Sequence, residues 1–199
     1  MSYFPAYLKI DDKKILIIGG GNIATEKLEK LLDFTNHIVI LAEEFSDKIS
    51  QLAKENGLKT IQKRYEPKDI EGFDIVIVAI DDIQKQKEIY LEAKKKKILC
   101  NSVDAIEYCD FIFPSYIKKG DLTISISTSG ASPAVAKYLR RYIEKLIPTS
   151  IDKFLIKMKN LRKKLPKGKE RMKLLDKKAK EFFDHESRDH SKFCVNRVK

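Results

Sequence analysis

The sequence predicts an α/β fold in which a parallel sheet comes first, a small α+β region second and a helical region last. Short apolar runs alternate with helical patterns as far as Pro114, a strictly alternating strand follows it, and amphipathic basic helices fill the remainder. Strands that alternate with helices are typical of β-α-β units around a parallel sheet. We therefore place three domains at residues 1–113, 114–148 and 149–199.

Six apolar runs in the first segment are predicted to be strands, because they are short and rich in β-branched residues. They are residues 15–18, 38–41, 59–62, 75–80, 98–101 and 111–113. Helical spacing of apolar residues after Ser46, and helix-favouring residues at positions 84–97, place helices between the strands.

A glycine-rich turn follows the first predicted strand. Gly19, Gly21 and Ala24 form a G-x-G-x-x-A pattern that leads directly into a predicted helix. Gly19 permits the tight turn, Gly21 lets the backbone approach a pyrophosphate, and the small Ala24 lets helix and strand pack closely. The N–H groups at the start of the helix then face the phosphates. This context predicts dinucleotide binding in a Rossmann-type domain, the alternative being a purely structural turn.

An acidic residue at the end of the second strand normally binds the adenosine ribose. Ala42 occupies that position here, and Glu43 and Glu44 follow it. A carboxylate at this place repels the 2′-phosphate of NADP, and the neighbouring sequence contains no arginine. The sequence therefore favours NAD as the cofactor.

The second segment combines a hairpin with a capped helix. The Lys119-Gly120-Asp121 turn and the alternation over residues 122–127 predict the hairpin, and Ser132 and Pro133 suit the N-cap and first position of a helix that Pro148 ends. Two further amphipathic helices follow, and the last fifteen residues are expected to fray.

Positive charge is concentrated in the third segment. The formal net charge is +11, and residues 149–199 hold 17 Lys/Arg against 7 Asp/Glu. Such a region can attract nucleic acid, an acidic membrane surface or a polyanionic small molecule, or can be a solvated helical face. Aromatic residues are not interleaved with the basic ones as in nucleic-acid stacking platforms, which argues against nucleic acid.

Composition predicts a cytoplasmic protein without a membrane span or a structural metal. No apolar stretch approaches the roughly 20 residues that a membrane helix needs, and the N-terminal segment lacks the pattern of a signal peptide. Cys100, Cys109 and Cys194 have no C-x-x-C spacing and fit reduced thiols, and the three histidines are scattered.

Further ordered motifs carry a family resemblance. They are residues 100–104 (Cys-Asn-Ser-Val-Asp), residues 109–114, and residues 126–133 followed by Arg140. In order and spacing over residues 1–150, this sequence resembles the precorrin-2 dehydrogenase family, which includes the N-terminal domain of sirohaem synthase. The resemblance implies an NAD-binding Rossmann domain, a dimerisation region at residues 114–148 and a C-terminal helical domain, assembled as a homodimer. The chain length resembles that of members without a methyltransferase domain.

The resemblance also implies an activity and a set of site residues. The activity is NAD-dependent oxidation of the anionic tetrapyrrole precorrin-2 to sirohydrochlorin in sirohaem biosynthesis, and Fe²⁺ insertion in the same pocket stays open as a second activity. The catalytic residue would be Asp104, which could accept a proton during oxidation. The residues implied to contact NAD are Asn22, Ile23, Glu43 and Glu44, and those implied to lie beside the tetrapyrrole are Ser127, Thr128 and Ser129.

Simpler interpretations stay open for the same residues. Asp104 suits a turn after a strand, and Ser127, Thr128 and Ser129 suit a turn before a capped helix. The chain as a whole could instead be a non-catalytic NAD-sensing module, although that function leaves residues 101–104 and 127–133 without a role.

Overall fold

The computed structural model describes the backbone of residues 3–194 and the side chains of residues 3–185. The chain divides into two compact units after Phe113. A further boundary at residue 148 stays a prediction.

The first unit is built on a parallel sheet of five strands in the order β3-β2-β1-β4-β5. The strands are β1 (Ile15–Ile18), β2 (Ile38–Ala42), β3 (Lys59–Gln62), β4 (Ile75–Val78) and β5 (Leu99–Ser102). The chain leaves β1 toward β2 and β3 on one side, and β4 and β5 lie on the other. Ligands of open α/β sheets bind at the carboxyl ends of the strands beside such a switch point. The predicted Rossmann-type parallel sheet is confirmed.

Helices cover both faces of this sheet, which explains why β1 and β4 are apolar at every position. Ile15 and Ile17 pack with buried residues of α1 (Asn22–Leu32) and α2 (Asp47–Asn56). Leu16 and Ile18 face the opposite side, toward α3 (Ile83–Lys95). Two short 3₁₀ helices, at Pro67–Ile70 and Ile106–Tyr108, complete the unit.

The prediction of a strand at residues 111–113 is wrong. The chain returns beside β5 with one antiparallel bridge, between Asn101 and Cys109. The side-chain amide of Asn101 then donates to the Phe111 carbonyl oxygen at 2.8 Å, where a strand would use its backbone. Pro114 follows, without an N–H group to extend a ladder.

Three predicted strands of this sheet have different bounds in the structure. β2 ends at Ala42 rather than at residue 41, and β5 ends at Ser102 rather than at residue 101. β5 begins one residue late, because the Ile98 N–H bonds to the Ala93 carbonyl at the end of α3. β4 ends at Val78 rather than at residue 80, and the Ile80 carbonyl accepts from the Gln86 side chain at 2.7 Å.

The second unit contains a hairpin followed by helices. The strands β6 (Ser115–Lys119) and β7 (Leu122–Ile126) pair antiparallel, as predicted. Ser132 caps α4 (Pro133–Leu146) by accepting from the Val135 N–H. Helices α5 (Ile151–Lys164) and α6 (Lys169–Cys194) follow. Helix α6 thus extends into the stretch that was expected to fray, and residues 195–199 lie outside the described part of the chain. Within residues 3–194, none of the helices is long and apolar enough to cross a lipid bilayer.

Candidate functional site

A cleft of about 650 Å³ opens at the carboxyl ends of β1, β2 and β4. This volume lies within the range of about 300–1,000 Å³ that is usual for small-molecule sites. The structure brings together in its lining all six residues predicted to bind the cofactor, which are Gly19, Gly21, Asn22, Ile23, Glu43 and Glu44.

The three glycines of the turn have different surroundings. Gly19 has φ +129, and a Cβ there would overlap the Ala79 carbonyl. A Cβ on Gly20 would overlap the Glu44 carbonyl, and the Gly20 carbonyl accepts from the Ser46 N–H at 2.9 Å. Gly21 is different, because no protein atom other than those of Gly21 and the two adjoining residues lies within 4 Å of its Cβ position. Protein packing therefore excludes side chains at the first two positions, and the open space at Gly21 is available to a ligand.

The start of α1 has the properties of a phosphate site. Its N-cap is Gly21, no side chain caps it, and its first turn contains no acidic residue. The other helices of this unit differ, because Ser46 caps α2 and Asp82 caps α3 through side-chain oxygens. The first N–H groups of α1 are thus left to bind an anion such as a pyrophosphate.

Two basic residues that follow β3 also line the cleft. β2 ends at Ala42, whose carbonyl accepts from the Lys63 N–H at 3.0 Å, and Lys63 and Arg64 line the cleft with Glu43 and Glu44. No arginine is close to these glutamates in sequence, but the folded chain places Arg64 in the same cleft, so the expectation that no arginine stands beside them is wrong. The signal that sequence reasoning missed is the pairing of β3 with β2, which brings distant residues to the same edge.

The charge of Lys63 is already paired, whereas Arg64 is exposed. Lys63 Nζ lies 2.9 Å from Asp69 and 3.2 Å from Glu66. The hydrogen bond to Asp69 is the main cause of the raised pKa of Lys63, and the hydrogen bond from Lys63 is the main cause of the lowered pKa of Glu66. Lys63 is thus paired with two carboxylates of the same unit, whereas the side chain of Arg64 faces solvent.

Asp104 lies two residues beyond the end of β5, on a loop outside the lining of this cleft. It is exposed and has φ 62, a left-handed conformation that aspartate tolerates better than most residues. The Cys109 thiol, whose pKa burial raises, donates to the Ser102 carbonyl at 3.1 Å. The Cys100 N–H donates to Asp110 at 3.0 Å, and Asp110 pairs with Lys94 at 2.7 Å. These hydrogen bonds hold together the two ends of the loop that carries Asp104.

Lys27, on α1, was not singled out by sequence reasoning. Its ammonium lies 4.5 Å from the centroid of the Phe113 ring. Burial lowers the pKa of Lys27, and attraction by Asp104 opposes that effect. Nothing in the local sequence of a helical lysine indicates such an environment, because Phe113 and Asp104 come from a distant part of the chain.

The predicted substrate residues Ser127, Thr128 and Ser129 lie in the second unit, between β7 and α4. Ser127 Oγ accepts from the Ser129 N–H at 3.0 Å, and Thr128 Oγ1 accepts from the Ser132 N–H at 3.1 Å. Ser129 has φ 50. The side chains of Ser127 and Thr128 therefore serve the turn, and their role beside a tetrapyrrole stays a prediction.

The fold and the cleft together define a dinucleotide-binding protein of the Rossmann type. Residues 6–115 match the family described as "Putative NAD(P)-binding", and residues 119–146 match the one described as "Sirohaem biosynthesis protein central". The first match spans more than half of the 199 residues. The chain therefore belongs to this NAD(P)-binding family, and its resemblance to the N-terminal domain of sirohaem synthase is confirmed.

Curated relatives and a solved structure agree with this assignment. The siroheme synthase of Methylococcus capsulatus is 38% identical over 149 residues, which are 75% of this chain and 31% of the relative. The siroheme synthase of Baumannia cicadellinicola is 31% identical over 151 residues, 76% of this chain and 33% of the relative. The chain thus spans about a third of the length of these relatives. The solved structure of "SirC, precorrin-2 dehydrogenase" matches with a TM-score of 0.72 and 22% identity, over 94% of this chain and 100% of that chain, which shows the shared fold.

Proposed function

We propose that this protein catalyses the NAD-dependent oxidation of precorrin-2 to sirohydrochlorin in sirohaem biosynthesis. The observation that carries the proposal is the cleft in which the glycine turn, the uncapped start of α1 and two glutamates come together. Two relatives that match over three quarters of the chain are named siroheme synthase, and a protein of the same fold is named precorrin-2 dehydrogenase.

The cleft fits a dinucleotide, and we assign NAD rather than NADP. The space at the Gly21 Cβ position is the kind of cradle that a pyrophosphate fills. Glu43 and Glu44 supply carboxylates at the adenosine end, and Lys63 is held by Asp69 and Glu66. Carboxylates favour ribose hydroxyls and disfavour a 2′-phosphate. Arg64 would favour a 2′-phosphate, so the proposed preference for NAD depends on Glu43 and Glu44.

In the proposed reaction precorrin-2 loses a hydride and a proton. Bound NAD⁺ supplies the hydride acceptor. The chain's own residues hold the cofactor through the first N–H groups of α1, and the exposed Asp104 carboxylate accepts the proton and passes it to water. The clamp formed by Cys109 and Asp110 keeps the backbone of this loop in place.

Ferrochelation is a second candidate activity, with Fe²⁺ as a substrate. An exposed carboxylate can accept the pyrrole protons that a metal displaces, and Asp104 is such a group. Within the described residues there is no cluster of three or more His, Cys, Asp or Glu that could hold a metal ion. Iron would therefore reach the macrocycle without a resident site in that part of the chain.

The proposed assembly is a homodimer formed through α4. Five apolar side chains at helical spacing are exposed on this helix, with exposed fractions from 42% to 67%. They are Val135, Tyr138, Leu139, Tyr142 and Leu146. An apolar stripe of this kind is costly in water, and a second copy of the chain would cover it.

We also propose a cytoplasmic location and substrate attraction by the basic residues. Cys100 and Cys109 are free thiols, as expected in a reducing compartment.

Lys119, Lys137 and Arg141 belong to the second unit, and their charges suit a polycarboxylate.

The test supplies precorrin-2 and NAD⁺ and follows NADH and sirohydrochlorin spectroscopically, before and after Fe²⁺ is added. We expect turnover by the native protein, and a kcat reduced roughly a hundred- to ten-thousandfold in Asp104→Ala, because a positioned proton acceptor contributes about that much. The Asp104→Asn variant keeps the side-chain shape and should be equally impaired. A native protein that binds NADH without oxidising precorrin-2 would instead be the NAD-sensing module, and full activity in both variants would remove the role of Asp104.

A further inference from the structure

Lys27 is a half-buried lysine without an ion-pair partner in the described part of the chain. Other lysines of the same unit that are held in place have carboxylate partners. Lys13 pairs with Asp74, Lys94 pairs with Asp110, and Lys96 pairs with Glu71, all at 3.1 Å or less. Lys27 instead places its ammonium 4.5 Å from the centroid of the Phe113 ring.

This environment is unfavourable for a lone cation. Desolvation is the largest influence on Lys27 and lowers its pKa, and the neighbouring charge of Lys30 lowers it further. Glu26, Asp104 and Cys109 act in the opposite direction. A cation–π contact offsets only part of the cost of removing an ammonium from water. A bound anion would offset the rest.

The position of Lys27 indicates which anion would bind. The same lysine is influenced by the charge of Asp104, the proposed proton acceptor, so both groups belong to one region of the first unit. Lys27 is outside the lining of the nucleotide cleft, which makes a phosphate of the cofactor a poor candidate. The remaining anions of the proposed reaction are the carboxylates at the rim of the tetrapyrrole.

We propose that Lys27 is a substrate-binding residue, which pairs with one peripheral carboxylate of the tetrapyrrole beside Asp104 while the Phe113 ring supports the lysine stem. This assignment rests on the proposed function. A carboxylate held here fixes the macrocycle relative to Asp104. The charge of Lys27 also reduces the repulsion between that carboxylate and Asp104, which would otherwise oppose binding.

The test compares Lys27→Met with Lys27→Arg. Methionine keeps an unbranched stem against the Phe113 ring and removes the charge, whereas arginine keeps a cation that stacks well on a ring. Lys54→Met is the matched control, because Lys54 is an exposed lysine of α2 in the same unit. For each protein we would measure kcat, the KM for precorrin-2, the Kd for sirohydrochlorin without cofactor, the Kd for NADH and the melting temperature.

In Lys27→Met we expect the KM for precorrin-2 and the Kd for sirohydrochlorin to rise about ten- to a hundredfold, the range for losing a hydrogen bond to a charged group. The Kd for NADH and the melting temperature should stay unchanged, Lys27→Arg should recover most of the affinity, and Lys54→Met should resemble the native protein. Unchanged tetrapyrrole affinity in Lys27→Met overturns the assignment, and so does an equal loss of NADH affinity, which would place Lys27 in the cofactor site. If the native protein oxidises no precorrin-2, the proposed function and this inference fail together.

Discussion

Replacing Gly20 and Gly21 separately by alanine distinguishes packing from ligand binding within a single turn. At Gly20 the new methyl group would overlap the Glu44 carbonyl and come within 3.0 Å of the Ala42 Cβ, so the end of β2 must move. At Gly21 the methyl group meets no protein atom within 4 Å beyond the adjoining residues, and it occupies space that we assign to the pyrophosphate. The two variants should therefore fail in different ways.

The magnitudes follow from these contacts. Overpacking in a filled region costs about 1–3 kcal/mol, so Gly20→Ala should melt roughly 2–12 °C below the native protein, at about 2–4 °C per kcal/mol for a chain of this size. Gly21→Ala changes only the N-cap preference of α1, at a cost of about 1 kcal/mol or less. It should nevertheless weaken NADH binding tenfold or more, equivalent to about 1.4 kcal/mol.

Thermal unfolding followed by circular dichroism and titration of NADH fluorescence measure the two effects on the same samples. Gly168→Ala is a control, because its Cβ position is also open and lies in the other unit. A Gly21→Ala variant that binds NADH with the native Kd would exclude a pyrophosphate from this space, and a Gly20→Ala variant as stable as the native protein would show that the end of β2 accommodates the methyl group.

Three further predictions concern selectivity, pH dependence and assembly. Replacing Glu43 and Glu44 together by glutamine should shift the NADPH-to-NADH affinity ratio about tenfold toward NADPH, because two carboxylates that repel a 2′-phosphate are removed while Arg64 stays in the cleft; an unchanged ratio in paired fluorescence titrations contradicts this. The pKa of Asp74 is lowered, chiefly by the Lys14 N–H and then by Lys13, so the stability that it contributes is present above its unfolded pKa of about 3.9 and lost as the pH falls through the lower folded value. Urea unfolding of native protein and Asp74→Asn should therefore differ at pH 7 and converge in acid, and a constant difference would argue against it. Leu139→Glu should convert a dimer into a monomer in light scattering, with Lys145→Glu as the control on the same helix, and a native protein that is monomeric at micromolar concentration removes the basis of this prediction.

The sequence predicts the centre of the sheet well because β1 and β4 are buried on both faces. The residues of β1 and β4 are apolar without interruption, and no helical spacing competes with them. Residues 111–113 are equally apolar but form no strand, because the Asn101 side chain occupies the Phe111 carbonyl. A hydrogen bond from a side chain ten positions away leaves no trace in local composition.

The candidate site divides in the same manner. The turn at Gly19–Gly21 and the two following glutamates are visible in sequence because one short segment contains both the motif and its context. Arg64 enters the cleft only through the pairing of β3 with β2, and Lys27 gains its environment only when Phe113 returns beside α1. Contacts between distant segments therefore account for the residues that motif reasoning omits.

The hydrogen bond from the Ser46 N–H to the Gly20 carbonyl has a mechanical consequence for the bound cofactor. Ser46 also caps α2 through its side chain. The start of that helix, the glutamates before it and the glycine turn are therefore connected as one unit through Ser46. The glycine turn, which would bind the diphosphate, and the glutamates, which would bind the adenosine ribose, are consequently coupled mechanically. A change that displaces one of these two elements would therefore weaken binding at both ends of the nucleotide.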